Sequence, residues 1–203
     1  MTTARSLPTM LLRFAGILVY HLGLSRFVIR LRRAVPRVIA YHACEPTESA
    51  FTRGLECNTP PALLSKHVTF LASHYNVVPL AAVVSGSPER AVAITFDDAY
   101  HSVYQYAFPI LRQHQCAATV FVVTDAIDND TLIWVNELAW LLNMGGKPAR
   151  HAAARALSAS LDSPIELILH RARELSGRNA CRDLIDAVAR AAGVRPPTGS
   201  SHL

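Results

Sequence analysis

Short apolar runs at residues 37–41, 91–96 and 117–123 alternate with segments whose apolar positions recur at helical spacing. The run Val92-Ala93-Ile94-Thr95-Phe96 carries no charge and stops at two adjacent carboxylates, Asp97 and Asp98. A short, wholly apolar run predicts a buried parallel strand. Between residues 102 and 114, Val103, Tyr106, Ala107, Ile110 and Leu111 mark one face of a helix. Strand, helix and strand in this order predict a right-handed parallel crossover. Upstream, Pro60-Pro61 opens a predicted helix with Leu63, Leu64, His67, Phe70 and Leu71 at 3.6 spacing. Residues 76–79 predict a second short strand and residues 80–84 a helical turn, while residues 43–60 read as a long polar loop. From Trp134 onward the pattern is helical, over 134–142, 148–161, 164–176 and 181–192.

These elements divide the chain into a basic segment at 1–36, an α/β body at 37–142 and a helical insertion with its tail at 143–203. The net charge of +5 belongs to the first part. Residues 1–44 hold seven Arg and no acid, whereas the rest of the chain sums to −2. Nucleic acid is therefore excluded as the expected partner, because the body has no basic stripe. In the N-terminal segment only twelve uncharged residues separate Arg13 from Arg26, and a bilayer span takes roughly 20. A helix over residues 9–33 with Arg26, Arg30 and Arg33 exposed is expected. It either packs on its own domain or lies on a membrane surface, with a signal or anchor as the third alternative. Cys44, Cys57, Cys116 and Cys181 form no C-x-x-C pair, so they read as ordinary thiols of a protein in a reducing, cytoplasmic setting.

The acid pair is the candidate chemistry. In α/β folds the C-terminal strand edge is where sites assemble. Neighbouring carboxylates repel, so a metal, proton or cation is expected beside them. The bland alternative is an Asp-rich turn or helix cap. The flanking residues favour the first reading. Thr95-Phe96-Asp97-Asp98, followed by Tyr100 and a helix, resembles the first motif of the polysaccharide deacetylases, also called the NodB-homology or carbohydrate esterase 4 group. Tyr41-His42 at the end of the first strand, Ala118-Thr119-Val120-Phe121-Val122, and a Trp-containing helix from Trp134 to Leu142 agree with that family in order and spacing.

The resemblance covers about residues 37–142 and implies a distorted parallel (β/α) barrel of NodB type. The implied reaction removes N- or O-acetyl groups from an acetylated polysaccharide or oligosaccharide. Asp97 would be the general base and Asp98 a ligand of a divalent metal, usually zinc. His42, Tyr100 and His101 are the residues expected to line the pocket.

Two departures stand out. Ala99 occupies the position that is usually Gly. The family's His-x-x-x-His motif is missing, because no two of the nine His stand four residues apart. The remaining His, including His67 and His74 on one predicted helix, read as surface positions. The barrel is therefore expected to be incomplete, with an N-terminal helix and a C-terminal helical segment, as in a truncated gene or a fragment. Two readings follow: a metal-assisted carbohydrate deacetylase, or a catalytically incomplete relative that at most binds a glycan or a partner.

Overall fold

A computed structural model describes residues 35–86, 89–129 and 131–197. The expected helix at 9–33 lies outside the described residues. Four parallel strands form the sheet: β1 (Arg37–Tyr41), β2 (Asn76–Val77), β3 (Ala91–Phe96) and β4 (Ala118–Val120). β3 pairs along its length with β1, from Arg37↔Val92 to Tyr41↔Phe96. Its other edge is shared, β2 pairing at Ala91 and Val92 and β4 at Ile94 to Phe96. The hydrogen bonds show this division directly. The carbonyls of Val92 and Phe96 accept from the N–H groups of Val78 and Phe121, while the Asp97 N–H donates to the Tyr41 carbonyl. The predicted strands near 37–41, 91–96 and 117–123 are thus parallel neighbours, and the fold class is α/β.

Burial on both faces holds for β3, whose six residues are all buried, and not for its neighbours. In β1, Val38 and Ala40 face solvent while Tyr41 is buried. In β4, Ala118 and Val120 are exposed. Paired residues of a parallel sheet share a face, and two helices pack the face of Ile39, Ile94 and Phe96. Val38 and Ala40 lie on the other face, whereas Ala118 and Val120 pair with Ile94 and Phe96 but stay exposed at the edge of that layer. α1 (Pro61–His74) supplies Leu64, Val68 and Leu71 to that layer. A second helix supplies Val103, Ala107 and Leu111, joining Ile94, Phe96 and Tyr41 in one core. Fully burying each such aliphatic or aromatic side chain contributes about 1.5–3 kcal/mol. β4 is also shorter than expected. Beyond Phe96 the backbone of β3 turns away, so residues after Phe121 have no strand to pair with and form a 3-10 turn at Thr124–Asn129.

The second helix is irregular. Residues Val103–Ala107 form a π turn in which the Phe108 N–H reaches back five residues to the Val103 carbonyl, and α3 (Phe108–Gln113) continues from it. Pro109 has no N–H to donate, which removes one of the regular bonds that would restore α geometry there. The short helical turn expected at 80–84 is α2 (Leu80–Val84).

The C-terminal part is four helices, α4 (Trp134–Met144), α5 (Gly146–Ala156), α6 (Ile165–Ala172) and α7 (Arg178–Ala192). They share one core built from Leu138, Leu141, Leu142, Ile168, Leu169, Leu184, Ile185 and Val188. This core begins with α4, so the Trp-containing helix packs with the helical part. Among the described residues no helix is long and apolar enough to cross a membrane.

Gly145 closes α4 where α5 and α7 meet it. A Cβ there would stand 2.7 Å from the Ala192 Cβ, 2.7 Å from the Leu141 carbonyl oxygen and 2.8 Å from the Ala149 Cβ. Only hydrogen fits. Gly145→Ala is expected to cost about 1–3 kcal/mol by overpacking, whereas Met144→Ala, at an exposed neighbour, should stay within about 0.5 kcal/mol. Urea unfolding of the two variants checks this, and equal midpoints would show that the helices can part without cost.

Candidate active site

β3 delivers Asp97 and Asp98 to the C-terminal edge of the sheet, as the sequence pattern predicts. Directly after the strand the chain turns sharply. Asp98 and Ala99 both adopt left-handed backbone conformations, with φ of +66° and +52°. For residues with a Cβ this conformation costs roughly 1–2 kcal/mol each. Asp tolerates it better than most residues, and Ala does not. The family's usual Gly at position 99 is thus the residue this turn favours. Relief of the strain is partly offset by the larger entropy of an unfolded glycine. Ala99→Gly is therefore expected to stabilise the protein by about 1 kcal/mol, or roughly 2–4 °C in Tm. A lower Tm in calorimetry would show that the turn carries no strain.

The double turn sends Tyr100 inward and leaves the acids half-buried. His42, which follows β1, comes alongside: its Nε2 lies 3.9 Å from Asp97 Oδ2. The Asp98 carboxyl is held above the ordinary Asp range by burial, with His42 opposing that shift and Asp97 adding to it. At the strand edge, His42 is therefore the group that a negative pair can draw on for compensation.

Tyr100 is 4% exposed. Its hydroxyl meets the Asn136 side chain, and Asn136 Nδ2 also donates to the Phe51 carbonyl at 3.1 Å. Burial pushes the phenol far above its usual range, so it remains neutral. The Cys57 thiol beside it is pushed up to about 11, first by burial. All four cysteines are free, and Cys44 and Cys181 are buried. His101 stands exposed at the start of the helix. With Asp98, Tyr100, Tyr104 and Val122 it lines a cavity of about 310 Å³. Among the residues predicted to line the pocket, Tyr100 and His101 thus share the Asp98 side, and His42 serves the Asp97 side.

Several residues that shape this site carried no signal of their own in the sequence. The Ser102 hydroxyl, buried, accepts the Cys44 N–H at 3.0 Å and ties the helix start to the chain just past His42. Asn136 and Asn143 stand seven residues apart on α4 and grip the loop over residues 43–60. Asn143 donates to the carbonyls of Ala50 at 3.2 Å and Arg53 at 3.1 Å. That loop is ordered from within as well. Asn58 exchanges two hydrogen bonds with the Glu45 backbone, and the Glu45 carboxylate accepts from the Ser49 N–H and the Thr52 hydroxyl. His67, predicted on a surface face, is instead half-buried, and its Nδ1 meets the Tyr41 hydroxyl at 3.2 Å.

A catalytic zinc generally has three protein ligands. Asp97, Asp98 and His42 supply the right chemistry in number, but among the described residues no three His, Cys, Asp or Glu side chains converge on a common point. This donor set does not fit a catalytic zinc.

Residues 85–161 match the family model for polysaccharide deacetylase, a stretch that contains the acid pair, the π turn, β4 and α4. The resemblance carried by Thr95-Phe96-Asp97-Asp98 is borne out over that stretch. No curated protein matches the chain. Among solved structures, the chain is similar to a de-N-acetylase from Aggregatibacter actinomycetemcomitans, at 26% identity and a TM-score of 0.40, covering 48% of this chain and 42% of that one. It is also similar to the Streptococcus pyogenes deacetylase PplD in complex with acetate, at 15% identity and a TM-score of 0.41, covering 76% and 80%. The chain thus spans less than half the length of the first of these.

Proposed function

We propose that this chain carries the acid pair of a site that recognises and hydrolyses acetyl groups on a carbohydrate polymer. The observation that supports it is the placement of Asp97 and Asp98 at the end of the fully buried β3, beside His42, within the segment that matches polysaccharide deacetylases. Asp97, half-exposed, is placed to accept the proton of a water that attacks the acetyl carbonyl carbon. The C–N or C–O bond to the sugar then breaks, the proton passes to the departing nitrogen or oxygen, and acetate leaves. His42, when protonated, offsets the charge at the strand edge. Asp98 is the residue that the resemblance implies as a metal ligand; no step here is routed through a metal, because among the described residues no three His, Cys, Asp or Glu side chains converge.

The same shortage of donors favours a second reading, in which the chain binds an acetylated glycan and turns it over poorly by itself. Both readings require the glycan to reach the acid pair. Adding N-acetylglucosamine or an N-acetylated chitooligosaccharide to the purified chain is expected to shift the His42 ring resonances in NMR. Zinc is expected to bind weakly, and acetate release to be slow and to vanish in Asp97→Asn; release no faster than the blank would leave only the second reading. Unmoved His42 resonances would overturn the reading of the site. Stoichiometric zinc with turnover that disappears in Asp98→Asn would leave that reading standing and overturn the donor argument.

A further inference from the structure

The helix that follows the acid pair exposes aromatic rings in a row. Tyr104 is 73% and Phe108 48% exposed, which is unusual for large rings unless they meet a ligand or partner. Their planes are 9° from parallel, with centroids 6.1 Å apart. The two residues stand four apart at the junction of the π turn and α3, and residues at that spacing are neighbours on one helix face. The row continues at both ends. The His101 ring lies 6.4 Å from Tyr104, and the Arg112 guanidinium sits 5.8 Å from the Phe108 centroid. His101, Tyr104, Phe108 and Arg112 therefore run along one side of the helix, leading away from Asp98.

The row is continuous with the acid pair. Ala99, Tyr100 and Tyr104 line the cavity of about 310 Å³ that holds Asp98 and His101. The same three residues line a second cavity of about 470 Å³ that extends past Phe108 to Arg112 and β4. A pyranose presents a flat face of C–H groups bordered by hydroxyls. It matches a ring face bordered by donors and acceptors, here the Tyr104 hydroxyl, the His101 imidazole, the Arg112 guanidinium and the Asp98 carboxylate.

We propose that His101, Tyr104 and Phe108 form a stacking track for successive sugar rings of an extended glycan whose acetylated unit sits at Asp97 and Asp98. The track rests on the reading of the acid pair as an acetyl-sugar site, and adds which side chains hold the units next to the acetylated one. Binding should therefore depend on chain length, and the Phe108 ring should matter only for long ligands.

The test uses the full chain with N-acetylated chitohexaose and with N-acetylglucosamine as probes. Isothermal titration should show the hexamer binding about three- to tenfold more weakly to Tyr104→Ala and to Phe108→Ala. Phe108→Tyr, which keeps the ring, should bind as the parent does. The monomer should shift the His42 resonances equally in the parent, Phe108→Ala and Phe108→Tyr, since Phe108 lies outside the cavity that holds Asp98. Both side chains are exposed, so the variants should fold, and circular dichroism checks that they do. Unchanged hexamer affinity in both alanine variants would overturn the track while leaving the acid-pair reading intact. Ring-dependent hexamer binding with no response at His42 would keep the track and overturn the acid-pair reading. Self-association of the parent chain that Tyr104→Ala abolishes, with no effect on hexamer binding, would assign the rings to a second copy of the chain and overturn the track.

Discussion

Two carboxylates in consecutive positions at the end of a buried strand cannot both continue the strand. One would point into the apolar layer beneath, and an ionised carboxylate buried there without a partner is far more costly than a strained turn. The chain resolves the conflict by bending through two left-handed residues at Asp98 and Ala99. That bend sets the rest of the site. It aims Tyr100 into the interior, where Asn136 receives it, and it starts the helix at a point where the Ser102 hydroxyl can hold the backbone behind His42. The acids remain half-buried, and His42 stands beside Asp97 from the end of the neighbouring strand.

The parts of this arrangement legible in the sequence are those that depend on one stretch of chain. β3 declared itself because every residue from Ala91 to Phe96 is apolar or small apart from Thr95, and the acid pair because it follows that run without a break. α1 was legible through Pro60-Pro61 and the spacing of Leu63, Leu64, His67, Phe70 and Leu71, of which Leu64 and Leu71 are buried while Leu63 and Phe70 are exposed. Interactions across the fold were not. A lone Asn on a helix reads as a solvated position, so nothing marked Asn136 and Asn143 as partners of a loop over 80 residues away. His67 looked like part of a surface face because periodicity says nothing about the Tyr41 hydroxyl on the facing strand. The edge strands looked buried because apolar side chains alone do not reveal whether a second layer covers them.

The π turn shows the limit from the other side. Its apolar positions, Val103, Ala107 and Leu111, fit an ordinary helix, and they are buried as an ordinary helix would bury them. What the pattern hides is the outer surface. One bond reaching five residues back instead of four changes which exposed side chains come into line, and Pro109 is the only local residue that hints at it. Core periodicity is insensitive to such a shift, whereas a surface row of rings is sensitive to it.

The grip of α4 on the rim of the site is made through main-chain carbonyls. Asn143 holds the oxygens of Ala50 and Arg53, and every amino acid offers that same oxygen. The hold of α4 on this loop is therefore uncoupled from the side chains at those two positions, although Arg53 also donates to the Glu48 carbonyl. Substitution at Ala50 can vary the loop's surface while the helix keeps the loop in place. The constraint falls instead on the asparagines, since a residue without the amide leaves two carbonyls without their donor. Variation is thus permitted at the rim and opposed on the helix behind it.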